Sequence, residues 1–150
     1  MTRTGVIAVV LSGAIATANA APVCYHANEI EAEQAMRYQA KLMVLSDSCR
    51  SNSYGQFVNQ NGPAIKAYQA QLISYYRRTD SRHAEDAFDR FLTRLANQEA
   101  LAAGAQNTAT LCGKSQEFLA QAIHWGKEEF RRFVSQQADA ERKSYPACTE

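Results

Sequence analysis

The sequence is short of catalytic and cofactor-binding signatures. No glycine-rich loop follows a strand-like run, so the backbone cradle that phosphates need is missing. No GxSxG elbow presents a serine nucleophile, and no CxxC or CxxCH spacing provides a redox pair or a haem attachment. The Glu-x-x-His order that di-iron bundles place on paired helices does not occur. A surplus of one charge sign is also lacking, with a formal net charge of +1. Nucleic-acid binders carry a basic excess, and its absence disfavours that class. The densest basic stretch, residues 127–132, interleaves Glu128 and Glu129 among its bases, which argues against a membrane-surface helix. Three prolines and seven glycines in 150 residues, with few β-branched side chains, argue against strands and for helices.

Long apolar runs are scarce too, and the single one lies at the start. Arg3 precedes the apolar residues 6–11 (VIAVVL), and Ala18-Asn19-Ala20 then supplies the small residues that a signal peptidase accommodates. This pattern predicts a Sec-type signal peptide over residues 1–20, cleaved before Ala21, and a periplasmic or secreted product. The run is shorter than the roughly 20 residues a spanning helix needs, and Ser12, Gly13, Thr17 and Asn19 interrupt it. No membrane insertion is expected after cleavage. Residues 21–150 then form one domain. Without Arg3, 15 basic residues face 15 acidic ones.

All four cysteines, Cys24, Cys49, Cys112 and Cys148, fall in that domain. An even number in an exported chain reads as structural disulfides.

Periodicity places helices along the whole domain. The first is expected from Asn28, as an N-cap with Glu31 completing a capping-box pattern, to about Cys49. Its apolar face is Ala35, Tyr38, Leu42, Leu45 and Cys49. Residues 46–54 read as a loop, and Tyr54, Phe57 and Val58 as a short helical turn. Pro63 suits the first position of a second helix with Ile65, Tyr68 and Leu72 inward. Thr79-Asp80-Ser81 should break that helix, with Asp80 or Ser81 capping a third that ends near Gly104. A fourth and longest helix is expected from Asn107 or Thr108 to about residue 140, stopped before Pro146. Four helices with short connections predict an all-α, antiparallel up-down four-helix bundle stapled by two disulfides. In that topology Cys49 and Cys112 share one end, and Cys24 and Cys148 share the other. Of the three possible pairings, the nested one, Cys49–Cys112 with Cys24–Cys148, fits without strain.

Candidate ligands are few. His26 stands three residues before Glu29, and His83 stands near Glu85 and Asp86, so both read as capping or surface groups. Met36 and Met43 are seven apart on one helix, the spacing of a soft copper pair, although core filling is the ordinary role of a helical methionine. No cofactor, metal site or catalytic residue is expected. Aromatic pairs are the remaining feature. Tyr75 and Tyr76 are adjacent, so both cannot enter one core, and Arg77 and Arg78 follow them. His124 and Trp125 are likewise side by side. Tyr, Trp and Arg are enriched at protein interfaces, which makes these six residues the candidate contact surface.

Cys49-Arg50, Tyr54, Phe57, residues 72–78 (LISYYRR), residues 95–99 (LANQE) and Cys112 together resemble a group of small exported bacterial proteins to which no activity is assigned. The resemblance spans roughly residues 35–115 and implies an exported, helical, cysteine-bearing domain. Cys24 and Cys148 lie outside that pattern. The sequence thus reads as a non-enzymatic periplasmic interaction or structural protein with a protein partner, an accessory subunit of a larger envelope or periplasmic enzyme assembly. The alternative is a small-ligand or metal-binding helical module using the space near Met36, Met43 or His124.

Overall fold

A computed structural model of the chain describes residues 23–148. The expected signal peptide, residues 1–20, lies outside them. Among the described residues the fold is all-helical, with five α-helices and a closing 3-10 turn.

Helix α1 (Ala27–Ser48) is rich in Ala, Glu, Gln, Met and Leu and contains neither Gly nor Pro. Ile30, Ala32, Ala35, Met36, Tyr38, Leu42 and Leu45 are buried around most of its circumference, leaving Arg37, Lys41, Met43 and Asp47 as a narrow exposed stripe. It accordingly packs against all four other helices. It begins one residue before Asn28, with His26 in the N-cap position. Glu29 stands three residues after His26, and its carboxylate accepts the His26 backbone N–H at 2.8 Å. This satisfies a donor that no intrahelical carbonyl can reach.

Helix α2 (Ser53–Thr79) starts ten residues earlier than expected and runs through Pro63. The ring removes the N–H that would bond the Asn59 carbonyl, yet Asn59 and Pro63 are both exposed, so water can serve that carbonyl. The α1–α2 turn is held locally instead. Arg50 adopts a left-handed φ of 53°, and the Ser46 hydroxyl accepts the Tyr54 N–H at 3.0 Å. Helix α3 (Ala84–Gly104) follows a turn in which the Asp80 carboxylate accepts the Arg82 N–H and contacts the His83 ring. Asp80 therefore organises the turn, and the helix starts at Ala84.

The run expected as one long fourth helix is divided into α4 (Thr108–His124) and α5 (Lys127–Glu141). Helix α4 starts at Thr108, within the expected pair, and Asn107 caps it, its side-chain oxygen accepting from Ala109 N–H at 2.9 Å. At the break Trp125 is extended, and two amides of α2 serve carbonyls that lose their helical donors. Gln60 Nε2 donates to the Ile123 carbonyl at 3.1 Å, and Asn61 Nδ2 to the Trp125 carbonyl at 2.9 Å. Asn61 is fully buried. The Trp125 ring turns inward onto Tyr38, which also neighbours Phe57, Phe118, Phe130 and Phe133. Glu128 and Glu129 then favour the positive start of α5.

The chain closes through a 3-10 turn (Arg142–Ser144) and returns beside its own beginning. Tyr25 N–H donates to the Pro146 carbonyl at 2.8 Å, and Cys148 N–H to the Tyr25 carbonyl at 3.0 Å. Both disulfides are those of the nested pairing, Cys24–Cys148 and Cys49–Cys112. They fit an oxidising compartment. No helix among the described residues is long and apolar enough to cross a membrane.

Two expectations follow. Asn61→Ala leaves the Trp125 carbonyl without its donor and should cost about 2 kcal/mol in chemical denaturation. Hydrogen exchange should accelerate first around residues 123–127. Uniform acceleration along the chain would refute the local role. Opening the inner bridge with a Cys49→Ser, Cys112→Ser double variant should cost up to about 4 kcal/mol from the lost loop constraint. An unchanged denaturation midpoint would show that the bridge constrains little.

Candidate functional site

The two ends of the molecule differ chemically. At the end that holds the Cys24–Cys148 bridge, α1 carries two carboxylates into the interior, Glu29 and Glu33, each nearly inaccessible. Both are matched there. Arg78, at the end of α2, reaches Glu29 with two guanidinium nitrogens and donates a third bond to the Cys24 carbonyl at 2.9 Å. Glu33 accepts from Arg37 Nε at 3.0 Å and from the Tyr145 hydroxyl at 2.9 Å, and Gln34 Nε2 donates to that same hydroxyl. Burial works against the charge of Glu29, but the Arg78 hydrogen bonds and the His26 N–H outweigh it and hold its pKa below the ordinary carboxylate value. Burial, with Glu33 close by, pushes the Tyr145 phenol up to about 12. Tyr25 fills the remaining space, stacked on Tyr75 at 4.1 Å and edge-on to Tyr145 at 5.0 Å. Each buried carboxylate is tied to a cation, an arrangement that closes a helix end.

The candidate contact residues separate into two places. Tyr75 stacks on Tyr25, and Tyr76 faces Phe91, its phenol pushed up to about 12 by burial. Arg78 is engaged with Glu29, while Arg77 stays exposed. His124 is exposed at the α4–α5 break, but its neighbour Trp125 is half-buried against Tyr38 and Phe133. Met36 and Met43 do not meet. Met36 is fully buried, and Met43 is 38% exposed. Among the described residues no three His, Cys, Asp or Glu side chains gather as a metal site.

At the Cys49–Cys112 end the interior opens. A cavity of about 890 Å³ lies between the second half of α1, the α1–α2 turn with the start of α2, and the junction of α3 and α4. Met43, Val44, Ala100, Ala103 and Leu111 give it apolar walls, and Ser51, Asn52, Tyr54 and Thr108 add uncharged polar groups. Asp47 is the one charged residue in its lining. The opening has a local cause. Residues 100–105 (ALAAGA) end α3 with small side chains, and α3 makes little contact with α4. Leu101, on the same turn of α3 as Ala100 and Ala103, is 76% exposed. Residues 100–113 contain no charged side chain.

No protein-family model, curated protein or solved structure matches this chain. The site must therefore be read from its own geometry. Neither Leu101 nor the cavity lies among the aromatic pairs that the sequence pattern marks. The uncharged stretch 100–113 was the signal that marked the place.

The Glu29–Arg78 pair gives a pH-dependent expectation. A carboxylate held below its ordinary pKa contributes stability above the ordinary range, and that contribution disappears as pH falls through the depressed value. Arg78→Ala leaves Glu29 buried without its cation. The loss at pH 7 should be about 2 kcal/mol, less than for a fully buried pair because the Arg78 side chain is 35% exposed. The deficit should shrink as pH falls to about 4, because burial without Arg78 favours the neutral carboxyl, which is protonated by then. Denaturation at both pH values checks this, and an equal deficit at both would contradict it.

Proposed function

We propose that this domain is a non-enzymatic periplasmic interaction protein, exported by the signal sequence over residues 1–20. It acts as an accessory subunit of a larger envelope or periplasmic enzyme assembly, and it docks through its Cys49–Cys112 end. The observation that carries the reading is a coincidence of position. The two most exposed large apolar side chains among the described residues, Met43 and Leu101, lie at the same end as the cavity of about 890 Å³. An apolar hollow beside an apolar projection, with little charge, matches the centre of a protein interface. The inner disulfide ties the end of α1 to the start of α4 there, which limits the ordering cost of binding. In this reading α4 and α5 act as one broken arm of an antiparallel up-down bundle of four. Arg77, Arg78 and His124, the exposed members of the candidate contact residues, lie outside the docking end and contribute at most a rim.

The second reading, a small-ligand module, rests on the cavity volume, which falls in the range of small-molecule sites. The two readings separate at Leu101, which projects outside the cavity lining. Purification from the envelope fraction, with photo-cross-linkers at Met43, Leu101 and Arg77, tests them. A docking face should give one partner cross-linked at Met43 and Leu101 but not at Arg77. Leu101→Glu should weaken co-elution at least about tenfold, the loss of one modest hot spot. A solitary monomer carrying a small molecule by native mass spectrometry, with Leu101→Glu silent, would overturn the docking reading in favour of the ligand module.

A further inference from the structure

The two disulfides sit in different chemical surroundings. Cys49 packs against the hydrophobic core, and its bridge joins two helices. Cys24–Cys148 joins the segments flanking the helices, with exposed Pro146 and Ala147 beside it. Its sulfur on Cys148 lies 3.9 Å from Nε2 of His26, an exposed imidazole. The Arg78 guanidinium, paired with Glu29, also donates to the Cys24 carbonyl and fixes the backbone on that side of the bridge. A ring N–H donor beside a sulfur stabilises its thiolate, and a disulfide whose leaving sulfur is stabilised exchanges faster.

We propose that Cys24–Cys148 is a thiol–disulfide exchange site, opened by a dithiol carrier while Cys49–Cys112 stays closed. One thiolate of the carrier attacks Cys24 Sγ. A carrier–Cys24 bond forms as the Cys24–Cys148 bond breaks, and the electron pair leaves on Cys148 Sγ, beside the His26 imidazole. The second carrier thiolate then attacks the carrier sulfur of the mixed disulfide and releases Cys24 as a thiolate. The carrier ends as a disulfide, having lost two electrons, and the protein gains those electrons with two protons from solvent. After opening, residues 142–148 are held by the two Tyr25 backbone hydrogen bonds and by Tyr145 on Glu33 and Gln34. The helices keep their inner staple. The site lies at the opposite end from the docking face and does not depend on that reading.

Oxidised full-length domain is treated with dithiothreitol as the dithiol, quenched by alkylation at intervals and mapped by peptide mass spectrometry. Cys24 and Cys148 should be alkylated at least about tenfold faster than Cys49 and Cys112, with the helical circular dichroism unchanged. His26→Ala should slow this step several-fold and should shift the midpoint against an oxidised/reduced dithiothreitol couple towards more reducing conditions. A tenfold shift in that equilibrium corresponds to about 30 mV. His26→Arg, which restores an N–H donor beside the Cys148 sulfur, should recover most of both effects, a rescue that a purely structural role would not give. The proposal falls if the two bridges open together as helical signal is lost, or if His26→Ala changes neither rate nor midpoint.

Discussion

Helix α1 enters the interior bearing carboxylates at Glu29 and Glu33, and much of the remaining arrangement answers that constraint. An unpaired buried carboxylate costs several kcal/mol, so each must meet a cation or a set of donors. Arg37, one turn on, can reach Glu33 from the same helix, but Glu29 needs a partner from elsewhere. Arg78 provides it from the last turn of α2, which fixes where α2 must end relative to the start of α1. Tyr145 supplies a further donor to Glu33, and this draws the C-terminal segment back across the start of α1. The Tyr25–Pro146 and Cys148–Tyr25 hydrogen bonds and the outer disulfide are then short additions to a geometry already set by charge.

Buried polar groups fix a second feature, the division between α4 and α5. A continuous helix would satisfy its own carbonyls and would have no use for Asn61 or Gln60. By accepting from those amides, the Ile123 and Trp125 carbonyls can leave the helical ladder. Trp125 is thereby freed to stack on Tyr38 within a group of aromatic rings drawn from α1, α2, α4 and α5. Apolar burial of a tryptophan rewards the break, and Gly126 imposes no side chain where α5 restarts.

Features set by local chemistry were legible in the sequence. The start of α4 near Asn107, the end of α3 at Gly104 and the inward face of α1 follow from spacing and residue types, and the cysteine pairing follows from the order in which the helices return. The misplacements have tertiary causes. Pro63 reads as a helix start because it lacks an N–H, but the exposure of Asn59 makes the missing bond cheap and the helix continues. His26 begins α1 instead of Asn28 because Glu29 closes back onto it. Residues 107–140 read as one helix because the amides that permit the break come from α2. Which member of the Tyr75–Tyr76 and His124–Trp125 pairs turns inward was not legible, because the ring partners Tyr25 and Tyr38 are distant in sequence. The cavity was hidden for a related reason. Small residues at the end of α3 signal close packing as readily as space, and only the sparse contact between α3 and α4 decides which.

That space is the physical argument for function. A solvent-open hollow lined by Met43, Val44 and Leu111 leaves apolar surface in water that a collapsed end would bury. Collapse is resisted because the inner disulfide holds the end of α1 to the start of α4, while the Ser46, Ser51 and Ser53 hydroxyls fix the intervening turn. At the other end two ion-paired carboxylates and three stacked or edge-on tyrosines meet, and the hollows left among them are smaller. An end that is braced against collapse yet left open, with Met43 and Leu101 exposed beside it, has its missing contacts to offer to another molecule.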